Sequence, residues 1–396
     1  MQNSTGELIS AKKFPVALWA LTISVFSIGT TEVVMVGLLP TIAKDLSRSI
    51  STTGLIVTLY ALGVAVGGPL ITAFTSHVPR KKLLLGIMLL FIAGNTIAAV
   101  APVFSLLAMG RILSGFAHGV FFGIGANIAS GLVPEHRRAT AIAIMFTGLT
   151  VAMVTGVPLG TFVGQHYGWR FTFAGVAMLG VISFVAIFVL LPGHIAMGKP
   201  LRLDDQLKVL QNRSLLLGFA LTIFSFAGVF GIFTYLSPLL EKVTGFSPDT
   251  ITLLLLLYGL FVAMGNMAGG KVANKGPVKV LTVLFAFLAA VMLLLYIFLP
   301  YKVETVIILA GMGFFSFSVV PGMQFHIVQL AERHLPGTED VSSTLNIAAF
   351  NIGIAMGSYV GGLVAASDFG IRGVALEGMA FVLIAMLFGV LSWRRP

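Results

Sequence analysis

Among the titratable side chains inside long apolar runs, Glu32, Arg111 and His118 of the first half are of the types that carry or bias a proton. Glu32 lies in the first run, eight residues before Pro40, roughly 12 Å of helix. Arg111 lies in the fourth, nine residues after Pro102, roughly 13 Å of helix. The first run leaves by the face through which the fourth enters, so both side chains reach the same depth. A charge at the bilayer centre costs on the order of 2.5–3.5 kcal/mol on insertion scales, so the Glu32 carboxyl has to be paired, neutralised or hydrated. It either carries a proton or snorkels to an interface. A guanidinium keeps its proton at physiological pH, so Arg111 either biases a nearby carboxyl or binds carbonyls at a helix break. His118 follows Arg111 by seven residues on the same helix face. Coupling, cavity lining and plain packing are its three readings.

The second half offers neutral or weakly basic polar groups instead: Tyr235, Gln324, His326, Asn346 and Asn351, with Gln329. They either bind a small substrate by hydrogen bonds against an apolar wall or join helices to one another. Phe230 stands among Phe224, Phe226, Phe233, Phe314, Phe315 and Phe317 as aromatic surface for such a wall. Glu377, five residues beyond Arg372, is expected at an interface. Neither His-Glu-x-x-His nor Gly-x-Ser-x-Gly occurs, which counts against an enzyme, and no Gly-x-x-x-x-Gly-Lys-Ser/Thr loop points to ATP. No cofactor or metal is implied, and with no cysteine there is no thiolate site.

The elements that must hold these residues follow from composition. Of 396 residues 57% are hydrophobic and 10% charged, against about 25% charged in a soluble domain. Twelve apolar segments each suffice for a core of about 30 Å: 15–40, 53–75, 83–101, 104–132, 139–164, 171–191, 214–239, 250–273, 279–299, 304–330, 341–366 and 373–392. None alternates with strand period, so an all-α membrane protein is predicted. With both termini cytoplasmic, 17 of the 24 Lys and Arg fall inside, six outside and one within a span. The +10 net charge thus follows membrane topology, and a nucleic-acid partner is not expected.

The one long polar connection, Gly193 to Asn212, divides the chain six spans plus six: residues 1–192, a cytoplasmic linker 193–213, and 214–396. A shift of 198 places Phe26 on Phe224, Pro40 on Pro238, Tyr60 on Tyr258 and Gly67 on Gly265. Later a shift of 202 places Pro134 on Pro336 and Arg170 on Arg372, and puts Arg111 on Gly313. Six is even, so the halves are parallel repeats, the plan of a rocking carrier. The fifth span has Gly148, Ala152, Gly156, Gly160 and Gly164 at spacing four, a smooth stripe for close helix approach. Pro158 inside it favours a bend. Gly353, Gly357 and Gly361 repeat the stripe in the eleventh.

Thr31-Glu32 leading to Gly37-Leu38-Leu39-Pro40, Gly110-Arg111 to Gly115, Gly156-Val157-Pro158-Leu159-Gly160 and Gly168-Trp169-Arg170 resemble the drug:proton antiporters of the major facilitator superfamily, closest to arabinose-efflux-permease-like bacterial exporters. The resemblance covers essentially the whole chain. It implies a monomeric secondary exporter in the bacterial cytoplasmic (inner) membrane, exchanging protons for a drug or sugar-like metabolite by alternating access. A proton-coupled importer of a sugar or similar metabolite is the rival. The resemblance also places Arg111 in a motif tied to proton coupling, and the fifth-span glycines in an antiporter motif in which Val157 replaces a glycine. In the turn between spans two and three, Ser76 occupies the acidic position of the superfamily's gating signature, ahead of Arg80, Lys81 and Lys82. Those three bases either gate or simply hold the turn at the anionic leaflet.

Overall fold

In the computed structural model residues 15–74, 78–134, 137–193, 203–273 and 277–394 are described; Ser76 lies outside them. Among these, twelve helices are long and apolar enough to span a bilayer. The first span is α1 (Val16–Val33) continued by α2 (Met35–Asp45). Then come α3 (Ile50–Phe74), α4 (Arg80–Val100) and α5 (Phe104–Gly131). The fifth span is α6 (Arg138–Val151), a π-helical turn over Ala152–Gly156 and α7 (Val157–His166); the sixth is α8 (Trp169–Leu190). A short amphipathic helix, α9 (Leu203–Gln211), precedes the seventh span, α10 (Arg213–Thr234) with α11 (Leu236–Lys242). The remainder are α12 (Pro248–Ala273), α13 (Pro277–Phe298), a tenth span of α14 (Lys302–Ser318) and α15 (Val320–His334), α16 (Glu339–Ala366), and α17 (Val374–Arg394) after a 3-10 turn.

Where the sequence reads as continuous spans over 15–40 and 214–239, both helices are broken, at Val34 and Tyr235, shortly before the repeated prolines Pro40 and Pro238. A proline has no N–H to donate to the carbonyl four residues back, and the ladder gives way upstream of it. The breaks matter because Glu32 lies within a turn of the first.

The two halves are repeats in space as well as in sequence. A Cβ on Gly115 would collide with the carbonyl of Tyr60, and one on Gly313 with that of Tyr258. Gly67 lies in the same way on Phe116, and Gly265 on Phe314. The shift is therefore still 198 in the fourth span, so the structural mate of Arg111 is Leu309, not Gly313. Leu309 is apolar and fully buried, and the charge is still confined to one half.

The fifth-span stripe packs along the first span, Gly148 on Thr22 and Phe26, Gly156 on Thr30, Gly160 on Val34 and Gly164 on Leu38. The eleventh-span stripe packs likewise on the seventh, through Gly353 on Ile223 and Gly357 on Ala227. The smooth α-helical run expected of the fifth span is interrupted by the π turn just before Pro158. Residues four apart drift about 40° per step on an α-helix, so the stripe from Gly148 to Gly164 would drift by about 160°. The extra residue of a π turn rotates it back toward its partner, and the wider turn also accommodates the proline.

Overpacking at such a contact costs about 1–3 kcal/mol. Gly148→Val, whose Cβ would meet the Phe26 nitrogen at 2.8 Å, should lower the thermal midpoint measured in detergent. Gly86→Ala, with nothing within 4 Å, should leave it unchanged or raise it, by up to about 1 kcal/mol in helix propensity.

Candidate functional site

The break after Val33 shapes the site. It frees the Thr31 carbonyl, which accepts a hydrogen bond from Arg111 Nη1 at 2.8 Å; the Thr31 hydroxyl accepts a second from the same nitrogen at 3.1 Å. Thr31 Oγ1 donates in turn to Asn95 Oδ1 at 2.6 Å, and Asn95 Nδ2 is anchored on the Phe91 carbonyl. The guanidinium lies 4.0 Å over the Tyr60 ring and 5.8 Å from that of Phe173, with no surface in water. Its Nε and Nη2 have no hydrogen-bond partner. The aromatic faces offer them a cation–π environment worth about 2 kcal/mol or more when desolvated.

Glu32 stands beside this group without joining it. Among the described residues no ion pair links Glu32 to Arg111; the basic atom that comes within 4.0 Å of Glu32 Oε2 is His118 Nδ1. That nitrogen lies 2.9 Å from the Tyr60 hydroxyl, and the imidazole packs on Phe122 with centroids 4.5 Å apart. The carboxyl is 12% exposed and His118 only 4%. So Glu32, Arg111 and His118, three of the residues singled out from sequence, come together with Tyr60, Asn95 and Thr31. Tyr60 and Asn95 are the additions. Their signal was a hydroxyl and an amide at matching depth in otherwise apolar runs.

The polar groups of the second half do not form one constellation. Gln324 Nε2 donates to Ser343 Oγ at 2.5 Å, and Asn346 Nδ2 to Gln324 Oε1 at 2.8 Å, tying spans ten and eleven together. Asn351 donates to its own helix, and the Oδ1 atoms of both Asn346 and Asn351 are buried without partners. His326 turns to Ser392 of the twelfth span at 3.0 Å. Phe230 belongs to an aromatic wall with Phe226, Phe233 and Tyr258. Glu377, expected at an interface, lies in the first turn of α17 but does not face water. Both its carboxyl oxygens are shut away without partners, against Gly231.

Tyr235 sits where the halves meet, at the end of the bundle away from both termini. Its hydroxyl donates to the Ser358 carbonyl at 2.8 Å, and its ring fills the notch between Gly54 and Gly362. Beside it Thr252 donates to Gln165 at 3.0 Å, and His166 Nε2 faces Asp249 at 3.5 Å. His166 Nδ1 donates to the Phe162 carbonyl, so Nε2 can donate to Asp249 only when the ring is doubly protonated. Deeper, Gly259 rests on the Met153 carbonyl in the π turn. This end is closed, whereas α6 at the other end scarcely touches α12. Lys81 caps the sixth span through the Leu191 carbonyl at 2.6 Å; Arg80 is buried and Lys82 exposed. An apolar groove of about 450 Å³ runs between spans two and eleven, lined by Leu55, Leu59, Leu62, Ile352, Met356 and Tyr359 among others.

Twelve spans in two parallel repeats that meet at one end, with a buried carboxyl and guanidinium inside the first repeat, are the architecture of a multi-pass membrane carrier of small solutes. The family model of the Major Facilitator Superfamily matches residues 21–338. The chain is 48% identical to the uncharacterized MFS-type transporter YtbD of Bacillus subtilis, over 96% of this chain and 95% of that protein. It is 38% identical to the inner membrane transport protein YdhP of Escherichia coli O157:H7, over 96% of each. The crystal structure of a D-xylose–proton symporter has the same fold, with TM-score 0.80 and 16% identity over 96% of this chain and 97% of that one. The chain belongs to the Major Facilitator Superfamily.

At the closed end a second cluster braces the first half. Asp45 Oδ2 accepts from Arg170 Nη1 at 2.6 Å and Trp169 Nε1 at 3.0 Å, while Arg170 also binds the Ala101 carbonyl. The left-handed Gly168, φ 100°, turns the chain into this clamp, as Gly370 does for Arg372 in the other half. These bonds, Arg170 first and Trp169 next, hold the Asp45 carboxyl below its ordinary range. A depressed folded value means that the clamp contributes at neutral pH and is lost as pH falls through that value. Asp45→Asn should therefore lower the thermal midpoint at neutral pH. The gap to wild type should close in acid; a gap constant with pH would show that the charge does not carry the clamp.

Proposed function

We propose that this chain is a proton-coupled exporter in the bacterial cytoplasmic membrane, exchanging external protons for a small organic molecule such as a drug or sugar-like metabolite. Both termini are cytoplasmic on this reading, so the closed end is the outer one. The halves 1–192 and 214–396 rock about their contact, joined by the linker 193–213. One observation carries the proposal: Glu32 is nearly dry and within reach of Arg111's field, yet is not locked to it. A carboxyl held in a permanent ion pair has no use for a proton, and one in open water gains or loses it without consequence. Glu32 avoids both.

In the outer-closed state Arg111 is held by Thr31 and Tyr60, and Glu32 faces His118. A proton on Glu32 removes the cost of its charge in the dry bundle; losing it leaves an anion whose nearest fixed counter-charge is Arg111. Arg111 is the fixed bias, and His118 and Tyr60 orient the carboxyl. Gln324, Asn346, Asn351 and the Phe230 wall are proposed as the substrate face, with the free Oδ1 atoms of the two asparagines waiting for donors. Tyr235 is proposed as the outer plug of that space. The glycine stripe with Pro158 supports the export direction, because the motif it resembles belongs to antiporters.

Two measurements on protein reconstituted in liposomes check this. A compound panel under an imposed proton gradient should show substrates moving against the proton flow; movement with the protons would make the chain an importer. Glu32→Gln keeps the shape of the protonated acid and should reduce gradient-driven transport to the rate seen without a gradient. Unchanged driven transport would remove Glu32 from the mechanism.

A further inference from the structure

Glu377, like Glu32, is an acid buried within the helix bundle, and nothing in the fold explains it as packing. The twelfth and seventh spans meet at small residues, Gly378 against the Gly228 carbonyl, and one turn on the Glu377 carboxyl occupies the notch where Gly231 has no side chain. Neither oxygen touches water or a donor. A carboxyl that makes no hydrogen bond contributes nothing to cohesion that a methionine or leucine would not, and as an anion it would cost several kcal/mol. The equivalent position in the first half, by the shift that places Arg170 on Arg372, is Gly175, which has open space around it. The architecture therefore does without an acid there.

The titratable and charged groups on the elements packed against it leave it unneutralised. Arg372, in the 3-10 turn before the twelfth span, is committed to the Tyr296 and Ile297 carbonyls of the ninth span and lies 4.5 Å over the Tyr296 ring. On the eleventh span Tyr359 faces the groove with the second, and Asp368 beyond its end has the wrong sign. On the seventh, Tyr235 is near enough to feel the charge of Glu377, but its hydroxyl donates to Ser358. Tyr235 is also the residue at which the seventh span breaks and on which the outer closure rests. Gly231, which forms the notch, lies one turn before that break, so a movement of the seventh span at Tyr235 that opens the outer end would reach the Glu377 carboxyl.

We propose that Glu377 is a second proton-binding site, in the half that lacks Glu32. It holds its proton while the outer end is closed and releases it to water when the seventh span moves at the Tyr235 break. The proposal rests on the outer-closed orientation above but not on Glu32, and it is tested without substrate. Infrared spectra of the reconstituted protein, taken across a rise in pH in H₂O and D₂O, report protonated carboxyls directly through their C=O stretch. Glu32→Gln should leave one deuterium-sensitive band from a dry acid, and adding Glu377→Gln should remove it. Gly231→Ala, which presses on the carboxyl without deleting it, should shift that band. Because the chain has no cysteine, Gln165→Cys with Thr252→Cys can be bridged by a short bifunctional thiol reagent to hold the outer end shut. In the bridged protein the band should persist to higher pH than in the unbridged one. A Glu377→Gln spectrum superimposable on its parent, a band indifferent to Gly231→Ala, or loss at the same pH with and without the bridge would each overturn the proposal. Driven transport by Glu32→Gln fails or survives independently of these outcomes.

Discussion

A guanidinium with no access to water has to be satisfied by the protein around it, and much of the first half is arranged to do so. Arg111 needs a carbonyl released from helix bonding, which the break at Val34 provides. It needs an aromatic face, which Tyr60 provides, and a path for the Tyr60 backbone close to the fourth span, which Gly115 permits. Thr31 and Asn95 then fix the rotamer of the carbonyl's own residue. Each element is ordinary in isolation. Together they hold one permanent positive charge at the depth of Glu32, and the carboxyl is left as the group whose charge can vary.

The second half has kept the scaffold and shed that charge. Leu309 replaces Arg111, Tyr258 stacks on Phe233 where Tyr60 carries the guanidinium, and the seventh span breaks at an aromatic plug. The outcome is a division of labour within a symmetric frame. Glu32, Arg111 and His118 gather beside the break in the first span, while the second half carries paired amides and an aromatic wall. The halves touch where glycine permits it: Gly54 and Gly362 around Tyr235, and Gly259 on the π turn.

The fold was legible because bilayer spans announce themselves by length and apolarity, and because matched prolines, tyrosines and glycines fix the repeat. What stayed hidden depended on geometry finer than depth. Arg111 and Glu32 were placed at one level from their distances to Pro102 and Pro40, but nothing in the spacing said that the guanidinium would take the Thr31 carbonyl in place of the carboxylate. Tyr60 and Asn95 look like isolated polar residues until azimuth is known. That the Glu377 carboxyl is shut away from water is hidden for the same reason, because the 3-10 turn carries Arg372 off to the ninth span. The π turn was invisible for the same reason: a spacing of four is compatible with a plain helix until the partner's direction is fixed.

The change of repeat offset from 198 to 202 has a physical location. The fourth and tenth spans start in register, at Phe104 and Lys302, yet the fourth covers 28 residues and the tenth 33. Four inserted residues are close to one α-helical turn, so the helix that follows returns to its place with its side chains still in phase, while the tenth protrudes by about 6 Å more. The extra turn falls on the side of the termini and in the second half alone, so the repeats differ there in length of backbone and not only in side chains.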